Sequence, residues 1–203
     1  MPFPATQPAW RSLFNGHDLT GWKNNGSAVW RVDTKDGSPP MILGTQDGDP
    51  KRGGNLVTTD AFQNFELELE FMIDEHGKYN SGVYLRNPPK GGPNGYQINI
   101  GRGAAGEYSG GLVITDKQGA PIWLAKGDET DTIRKPLDWN TLSIRADGAH
   151  VIVHLNHQKV VDYTDPNSDP RFLQKGVLAL QTYGAEGHAG WVKFRNLRIQ
   201  ELP

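Results

Sequence analysis

The clearest pattern in the chain is a strict alternation of apolar and acidic residues that begins after Asn64. The segment FELELEFMI, residues 65–73, carries apolar side chains at every second position and carboxylates at positions 66, 68 and 70. Successive side chains of a strand point to opposite faces, so the pattern predicts a strand with one apolar and one acidic face. A second strand, SGVYLR, follows after a turn and carries Tyr84 and Arg86 on the same face.

Similar short segments recur along the chain and predict an all-β fold. They are AVWRV, NLVTT, YQINI, GLVITD, TLSIRA, HVIVHL, KVVDY, GVLALQTY and WVKFRNLRI, bounded by clusters of Gly, Pro, Asn and Asp. The sequences ADGA at 146–149 and LNHQ at 155–158 predict tight turns, with Asn156 tolerating a positive φ. About a dozen strands at this spacing indicate a two-sheet antiparallel β-sandwich. We find no repeat or linker, and we expect a single domain over residues 1–203.

Composition and charge exclude several classes of function. The net charge of −2 argues against a nucleic-acid partner, since no basic stripe offers contacts to phosphates. No apolar run approaches the roughly 18 residues of a membrane-spanning helix. The first residues, MPFPATQPAW, lack the basic start and apolar centre of a signal peptide. The absence of cysteine excludes disulfides, thiolate metal sites and thiol nucleophiles.

The acidic row has two interpretations. Glycosidic chemistry needs two carboxyl groups about 5–9 Å apart, and neighbouring carboxylates on one strand face lie about 7 Å apart. Alternatively, the row faces solvent beside the C-terminal strand and pairs with Lys193 and Arg195. Exposed ion pairs contribute only about 0.2–1 kcal/mol each, but unpaired like charges on one face would repel each other. We favour the paired, structural interpretation.

Other motifs give weaker signals. Residues 101–106, GRGAAG, match the G-x-G-x-x-G pattern, but the residues that follow cannot start the helix a dinucleotide site requires, which favours a flexible loop. His154 and His157 are three apart, a spacing that does not place both on one face of a strand. No G-x-S-x-G elbow is present. Trp123 lies between Gly-rich loops and is a candidate for stacking on a sugar.

Longer segments carry a family resemblance. They are LFNGHDLTGW, NFELELEF, NSGVYLR, GYQINI, KPLDWNTLSIRADG, VHLNHQKVVDY, GVLALQTYG and VKFRNLRIQEL, in this order from about Trp10 to Leu202. Together they resemble the DUF1080 family, also called the 3-keto-disaccharide hydrolase domain. The resemblance implies a concanavalin A-like jelly roll in an extracytoplasmic setting, periplasmic or secreted. It also implies action on 3-keto-glycosides, by hydrolysis or by elimination and rehydration.

The implied chemistry needs few groups. A ketone at C3 acidifies the C2 hydrogen, so catalysis requires a base and either donors or a metal ion to stabilise the enolate oxygen. The resemblance therefore implies a glycoside or oligosaccharide ligand and no certain cofactor, and it leaves a divalent metal ion open. The chain departs from the family pattern at four positions. Gln97 stands where the family has glutamate, Tyr183 where it has histidine, Ile114 where it has tyrosine and His157 where it has the turn glycine of an L-N-G motif.

In jelly rolls of this kind the ligand lies on the concave face of one sheet, and we expect SGVYLR, YQINI, TLSIRA, HVIVHL and LALQTY to form it. The polar residues expected on that face are Tyr84, Arg86, Gln97, Asn99, Arg145, His154, Gln181 and Tyr183. Arg86 is the predicted donor to the ketone or enolate oxygen, because its fork of N–H groups suits that task. His154 is the predicted general base, with Glu107 or Asp116 on loops as alternatives.

The remaining polar residues of that face, together with Trp123 and Glu107, are predicted to contact the sugar. Two other functions stay open from the sequence. A non-catalytic carbohydrate-binding module would use the same groove, since a polar sheet face alone does not require catalysis. An enzyme acting on an unmodified glycan would need a pair of carboxylates on the concave face.

Overall fold

The structure is a computed structural model that describes residues 8–34, 38–75, 79–88, 95–101, 106–184 and 187–203. Within those ranges the chain forms fifteen β-strands and one 3-10 helix, Pro170–Leu173. The first eight strands are β1 (Arg11–Ser12), β2 (Trp22–Gly26), β3 (Val29–Asp33), β4 (Met41–Thr45), β5 (Gly53–Phe62), β6 (Phe65–Ile73), β7 (Gly82–Asn87) and β8 (Tyr96–Asn99). The others are β9 (Leu112–Thr115), β10 (Pro121–Ala125), β11 (Asn140–Asp147), β12 (His150–Leu155), β13 (Gln158–Thr164), β14 (Gly176–Tyr183) and β15 (Trp191–Glu201).

The strands form two antiparallel sheets. Sheet one has the order β13-β12-β11-β6-β15-β4-β3, with the short strand β1 also paired to β15. Sheet two has the order β10-β9-β8-β7-β14-β5-β2. The predicted all-β, two-sheet antiparallel sandwich is therefore confirmed. The described residues contain no helix with the length and apolar character of a membrane span.

The core between the sheets is formed by the alternating apolar residues that the sequence pattern marks. In β6, Phe65 and Phe71 are fully buried and Leu67 is 1% exposed, whereas the acidic residues between them are half-buried. Across the core, sheet two contributes Val83 and Ile98, which are also fully buried. Burying an apolar side chain of this size stabilises the fold by about 1.5–3 kcal/mol. Alternation along the strands thus assigns one face of each sheet to the core.

The acidic row of β6 is paired with arginines on both neighbouring strands. β6 lies between β11 and β15, as expected for its position beside the C-terminal strand. The ion pairs are Glu66–Arg145 at 2.7 Å, Glu68–Arg198 at 2.5 Å and Glu70–Arg195 at 2.6 Å. Lys193 contacts Asp33 at 3.9 Å instead of a β6 carboxylate. The paired, structural interpretation of the row is therefore confirmed. Arg195 pairs with the row as predicted, whereas the pairing of Arg145 and Arg198 with it was not predicted.

Both predicted turns are present. Gly148 has φ 54° between β11 and β12, and Asn156 has φ 48° between β12 and β13. His157 also has a positive φ, 67°, so the second turn needs two residues in the left-handed region. The central residues of the GRGAAG motif, 102–105, lie outside the described residues.

The expected membership of the ligand-bearing sheet was wrong for two strands. β7, β8 and β14 lie together in sheet two, but β11 and β12 lie in sheet one beside β6. β11 pairs with β6 at seven positions, from Asn140–Phe71 to Ala146–Phe65, and this pairing places the hairpin β11–β12 in sheet one. The two groups of strands therefore expose their polar side chains on opposite outer surfaces of the sandwich.

Candidate functional site

The outer face of sheet two carries a cluster of amide and phenol side chains. Directly opposed residues of antiparallel strands share a face, so the register places Tyr84 beside Gln97 and Asn55 beside Gln181. Their chain neighbours Val83, Ile98 and Leu180 point into the core, which leaves these polar residues on the outer side. Asn99 follows Gln97 on the same side of β8. We call Asn55, Tyr84, Gln97, Asn99 and Gln181 the polar face.

A chain of hydrogen bonds fixes the centre of the polar face. Gln97 Nε2 donates to Gln181 Oε1 at 2.9 Å, and Gln181 Nε2 donates to the Tyr84 hydroxyl at 3.2 Å. The Gln97 side chain lies across Gly82, where a Cβ atom would stand 2.2 Å from Gln97 Nε2. Burial raises the pKa of Tyr84 to about 12, so its phenol stays neutral at physiological pH. The centre of this face is therefore ordered, uncharged and built for hydrogen bonding.

Two buried amide oxygens at this face have no hydrogen-bond partner among the described residues. They are Oδ1 of Asn55, which lies beside Gln181, and Oδ1 of Asn80, whose residue bridges to Tyr183. A buried acceptor without a donor costs about 1–3 kcal/mol, so such groups mark places where a ligand or water donates. The hydroxyl groups of a sugar are donors of this kind.

The polar face is recessed. Asn99 is 3% exposed and Tyr84 is 5% exposed, although both point away from the core. The side-chain amide of Asn99 donates to the carbonyl groups of Gly101 at 2.8 Å and Tyr108 at 3.2 Å, which ties the loop after β8 to the sheet. Ligand sites typically carry a few fixed polar groups, and Asn99 and Tyr84 are fixed in this way.

Aromatic side chains lie beside the polar face. Tyr183 is 54% exposed at the end of β14, and its ring rests on Gly53, where a Cβ would stand 2.8 Å away. Trp123 on the edge strand β10 is opposite Val113, which is itself opposite Gln97. Its ring makes an edge contact with Tyr108 at a centroid distance of 5.0 Å. Aromatic rings that are partly exposed beside hydrogen-bonding groups suit the apolar face of a pyranose.

Arg86 does not lie on the polar face, so the predicted placement was wrong. The register of β7 against β14 contains one extra residue on β7, and Arg86 has φ 56°. Such a bulge re-aims the side chain, and Arg86 is 1% exposed. Its guanidinium donates to the carbonyl groups of Gln63, Gly148 (2.7 Å) and Phe172 (3.2 Å). Arg86 is thus engaged with backbone from three loops instead of facing a ligand.

His154 and Arg145 were predicted to share the ligand face with Tyr84, and this was also wrong. Both belong to sheet one, on β12 and β11, with their side chains on its outer surface. Arg145 is held by Glu66 at 2.7 Å and Asp147 at 3.0 Å. Packed sheets lie about 10 Å apart, so the whole core separates His154 from the polar face.

Of the two loop alternatives, Glu107 lies at the end of the polar face and Asp116 does not. Glu107 is half-buried and directly precedes Tyr108, whose carbonyl accepts from Asn99 at 3.2 Å. Asp116 caps the turn between β9 and β10, where its carboxylate accepts from the backbone of Gln118 and Ala120 at 2.9 Å and 2.7 Å. That turn is at the opposite end of β9 from Glu107.

Metal ligation has no ready donor set in the described part of the chain. No group of three or more His, Asp or Glu side chains there is close enough to hold a metal ion. The donors of the polar face are amides and phenols, which hydrogen-bond hydroxyl groups better than they bind a divalent cation.

Sequence reasoning missed Asn55. Asn55 lies in NLVTT, where the alternation with Leu56 would have placed it outward, so that signal was present. Its burial, 7% exposed, depends on neighbouring strands and has no local signature. Asn80 precedes β7 and joins the sheet through its bridge to Tyr183.

Comparisons with known proteins agree with this architecture. A 3-keto-disaccharide hydrolase from Bacteroides thetaiotaomicron is 25% identical over 249 residues, which cover 100% of this chain and 81% of that protein. A protein from Parabacteroides distasonis, provisionally assigned as a glycosyl hydrolase, has a similar structure with a TM-score of 0.66 at 24% identity, covering 96% of this chain and 100% of that one. The carbohydrate-binding module CBM66 from Bacillus subtilis has a TM-score of 0.63 at 20% identity, covering 89% and 96%.

The similar solved structures support the two-sheet sandwich fold, and the match to a family model identifies the family. The model of the 3-keto-alpha-glucoside-1,2-lyase-like domain matches residues 9–200, nearly the whole chain. The strands of the polar face, β5, β7, β8 and β14, all lie inside that match. The chain therefore belongs to the 3-keto-alpha-glucoside-1,2-lyase-like domain family and is a carbohydrate-active protein.

Proposed function

We propose that this protein binds a 3-keto-glycoside on the polar face of sheet two and cleaves its glycosidic bond. The observation that carries the proposal is the neutral hydrogen-bonding chain Gln97–Gln181–Tyr84, with the unpartnered acceptor of Asn55 beside it. Neutral amides and a neutral phenol match the hydroxyl and keto groups of an uncharged sugar. The family membership supports an oxidised glycoside as the substrate class.

The proposed reaction is an elimination followed by hydration, with hydrolysis as its net result. A base removes the C2 proton, the C–H electron pair forms the C1=C2 double bond, and the C1–O bond breaks as the leaving oxygen takes up a proton. Water then adds across that double bond, with its oxygen at C1 and its hydrogen at C2. Negative charge develops on the C3 oxygen, where N–H donors lower the barrier. The second N–H of the Gln97 amide, which the bond to Gln181 does not use, is the donor we assign to this oxygen, and the second N–H of the Gln181 amide is the donor we assign to a neighbouring hydroxyl.

Glu107 is the base we assign to this reaction, since His154 lies on the opposite sheet. It is the predicted loop carboxylate at the same end of sheet two as Asn99 and Tyr108. A carboxylate that removes a proton next to a ketone is an established kind of general base. The family setting also supports an extracytoplasmic location for this activity, as the resemblance implies.

A second candidate is sugar binding without cleavage, and one observation favours it. The central strands β7, β8 and β14 carry no Asp, Glu or His, and Gln97 and Tyr183 occupy positions where the resemblance implies a carboxylate and an imidazole. An amide cannot act as a general base. The similarity of the fold to a carbohydrate-binding module is compatible with this role.

The test is incubation with a 3-keto-disaccharide and, separately, with its unoxidised parent, followed by NMR of the products. We expect cleavage of the keto sugar only, and at least a tenfold loss in kcat/KM for Gln97→Leu and for Glu107→Gln. Gln158→Leu, at an exposed position of β13 in sheet one, is the matched control and should leave turnover unchanged. Binding of the keto sugar without turnover would support the second candidate. Neither binding nor turnover would refute both.

A further inference from the structure

The outer surface of sheet one contains a cavity that the proposed reaction does not use. Its volume is about 630 Å³, within the range of 300–1,000 Å³ that small-molecule sites occupy. Residues of five strands, β1, β6, β11, β12 and β15, line it together with the segment before β1 and the turn after β12. Its polar and aromatic lining includes Trp10, Glu68, Thr141, Ser143, His154 and Arg198. We call it the sheet-one cavity.

The strand register builds the sheet-one cavity. Ser143 is directly opposite both His154 and Glu68, and Glu68 is opposite Arg198. The outward side chains of β12, β11, β6 and β15 therefore form one continuous row. An irregularity between Arg195 and Arg198 inserts an extra residue, and Asn196 there has φ 54°. Bulges of this kind bend a strand and re-aim side chains, and they are frequent next to binding sites.

The charges of the cavity compensate each other. Arg198 binds Glu68 at 2.5 Å and lies over the Trp10 ring at 4.8 Å from its centroid. Arg195 binds Glu70 at 2.6 Å, and Asn196 donates to the other oxygen of Glu70 at 3.0 Å. Each carboxylate of the lining thus has its own guanidinium partner. A site balanced in this way offers little net attraction to a phosphate or to a polyamine.

The lining nevertheless keeps unused hydrogen-bonding capacity. Oγ1 of Thr141 is buried without a partner among the described residues. Both Arg198 contacts to Glu68 use Oε2, so Oε1 of this carboxylate retains its lone pairs. Among the described residues, the side chains of Ser143 and His154 have no hydrogen-bond or ion-pair partner. Neutral hydroxyl groups fit such a set, because each can both donate and accept.

We propose that the sheet-one cavity is a second carbohydrate site, which binds a neutral mono- or disaccharide without cleaving it. Glycoside hydrolysis would need one of two carboxyl groups as proton donor. Here Glu68 and Glu70 are both engaged with guanidinium groups. The site is built from sheet one alone and stands whether or not the polar face of sheet two is catalytic. It gives the sandwich a sugar-binding surface on each side.

The test is NMR titration with the unoxidised disaccharides cellobiose and trehalose in a Gln97→Leu/Gln181→Leu background, which removes the polar face. We expect the indole N–H signal of Trp10 and the ring signals of His154 to shift, with a Kd on the order of 1 mM for at least one sugar. Ser143→Leu, which fills the floor of the cavity, should weaken binding at least tenfold. Thr141→Val keeps the side-chain shape and should weaken binding about fivefold through the lost hydroxyl.

Thr164→Val, at an exposed position of β13 in the same sheet, is the control and should stay within about twofold of the parent. Absence of any shift at Trp10 and His154 with both sugars would overturn the proposal. Equal affinity of the Thr141→Val and Ser143→Leu variants and their parent would also overturn it. Tighter binding of inorganic phosphate or spermidine than of either sugar would refute the assignment of a neutral ligand.

Discussion

Arg86 offers the sharpest test of the structural reasoning, because sequence and structure assign it different roles. In the structure it is 1% exposed, and its guanidinium donates to the backbone carbonyls of Gln63, Gly148 and Phe172. Arg86→Met keeps most of the apolar volume and removes all the donors. Each buried carbonyl left without a partner costs about 1–3 kcal/mol. Three carbonyls lose their donor, so we expect the free energy of unfolding to fall by about 3–5 kcal/mol, towards the lower end of their combined cost because the substitution also removes a buried charge.

The assay is urea denaturation followed by tryptophan fluorescence, fitted for both the midpoint and the slope. A loss of 3–5 kcal/mol is a large part of the 5–15 kcal/mol that stabilises a typical domain, so it is readily measured. Arg171→Met is the matched control, because Arg171 is exposed and its ion pair within the described part of the chain is with Asp169, two residues earlier. The control should change stability by less than about 1 kcal/mol. Unchanged stability of Arg86→Met, combined with loss of turnover, would refute the structural role and restore Arg86 to the site.

Two further predictions concern the polar face and its surroundings. Gly82→Ala places a Cβ 2.2 Å from Gln97 Nε2, so Gln97 should swing away and calorimetry should detect about tenfold weaker sugar binding with little loss of stability. Burial raises the pKa of both Tyr79 and Tyr84 from 10.0 to about 12, so the fold favours their neutral forms. The contribution of each neutral phenol to the free energy of unfolding is fully present below pH 10. It is lost as the pH rises towards 12, by up to about 3 kcal/mol for each tyrosine. Urea midpoints at pH 8, 10 and 11 should fall accordingly, and they should fall less in Tyr84→Phe.

Local alternation was sufficient to predict most of the fold. The pattern of β6 marks its buried and exposed faces without ambiguity, because one face meets the core and the other meets arginines. The turns at Gly148 and Asn156 also follow from residue type. The family resemblance identified the jelly roll, which the two antiparallel sheets bear out.

The assignment of strands to sheets could not be read from the same pattern. β11 and β12 alternate as β7 and β8 do, so either pair would fit either sheet. Pairing of β11 with β6, which is distant in sequence, decides the matter and carries His154 to the opposite surface. Long-range register of this kind leaves no local mark in the sequence.

Arg86 was misplaced for a different physical reason. Counting alternate positions from Tyr84 puts it outward, but one extra residue on β7 reverses the side. No Gly or Pro at this point announces the bulge, since the local sequence is Leu85-Arg86-Asn87. Tyr84, Gln97, Asn99 and Gln181 of the polar face were placed correctly, because they lie on the regular side of the irregularity.

The central claim is that a 3-keto-glycoside binds on the polar face of sheet two. A crystal structure of the Glu107→Gln variant soaked with a 3-keto-disaccharide tests it most directly. The account predicts a sugar ring above Gln97 and Gln181, with a hydroxyl donating to Oδ1 of Asn55 and the C2 hydrogen directed towards residue 107. A sugar found only in the sheet-one cavity, with the polar face unchanged, would contradict it.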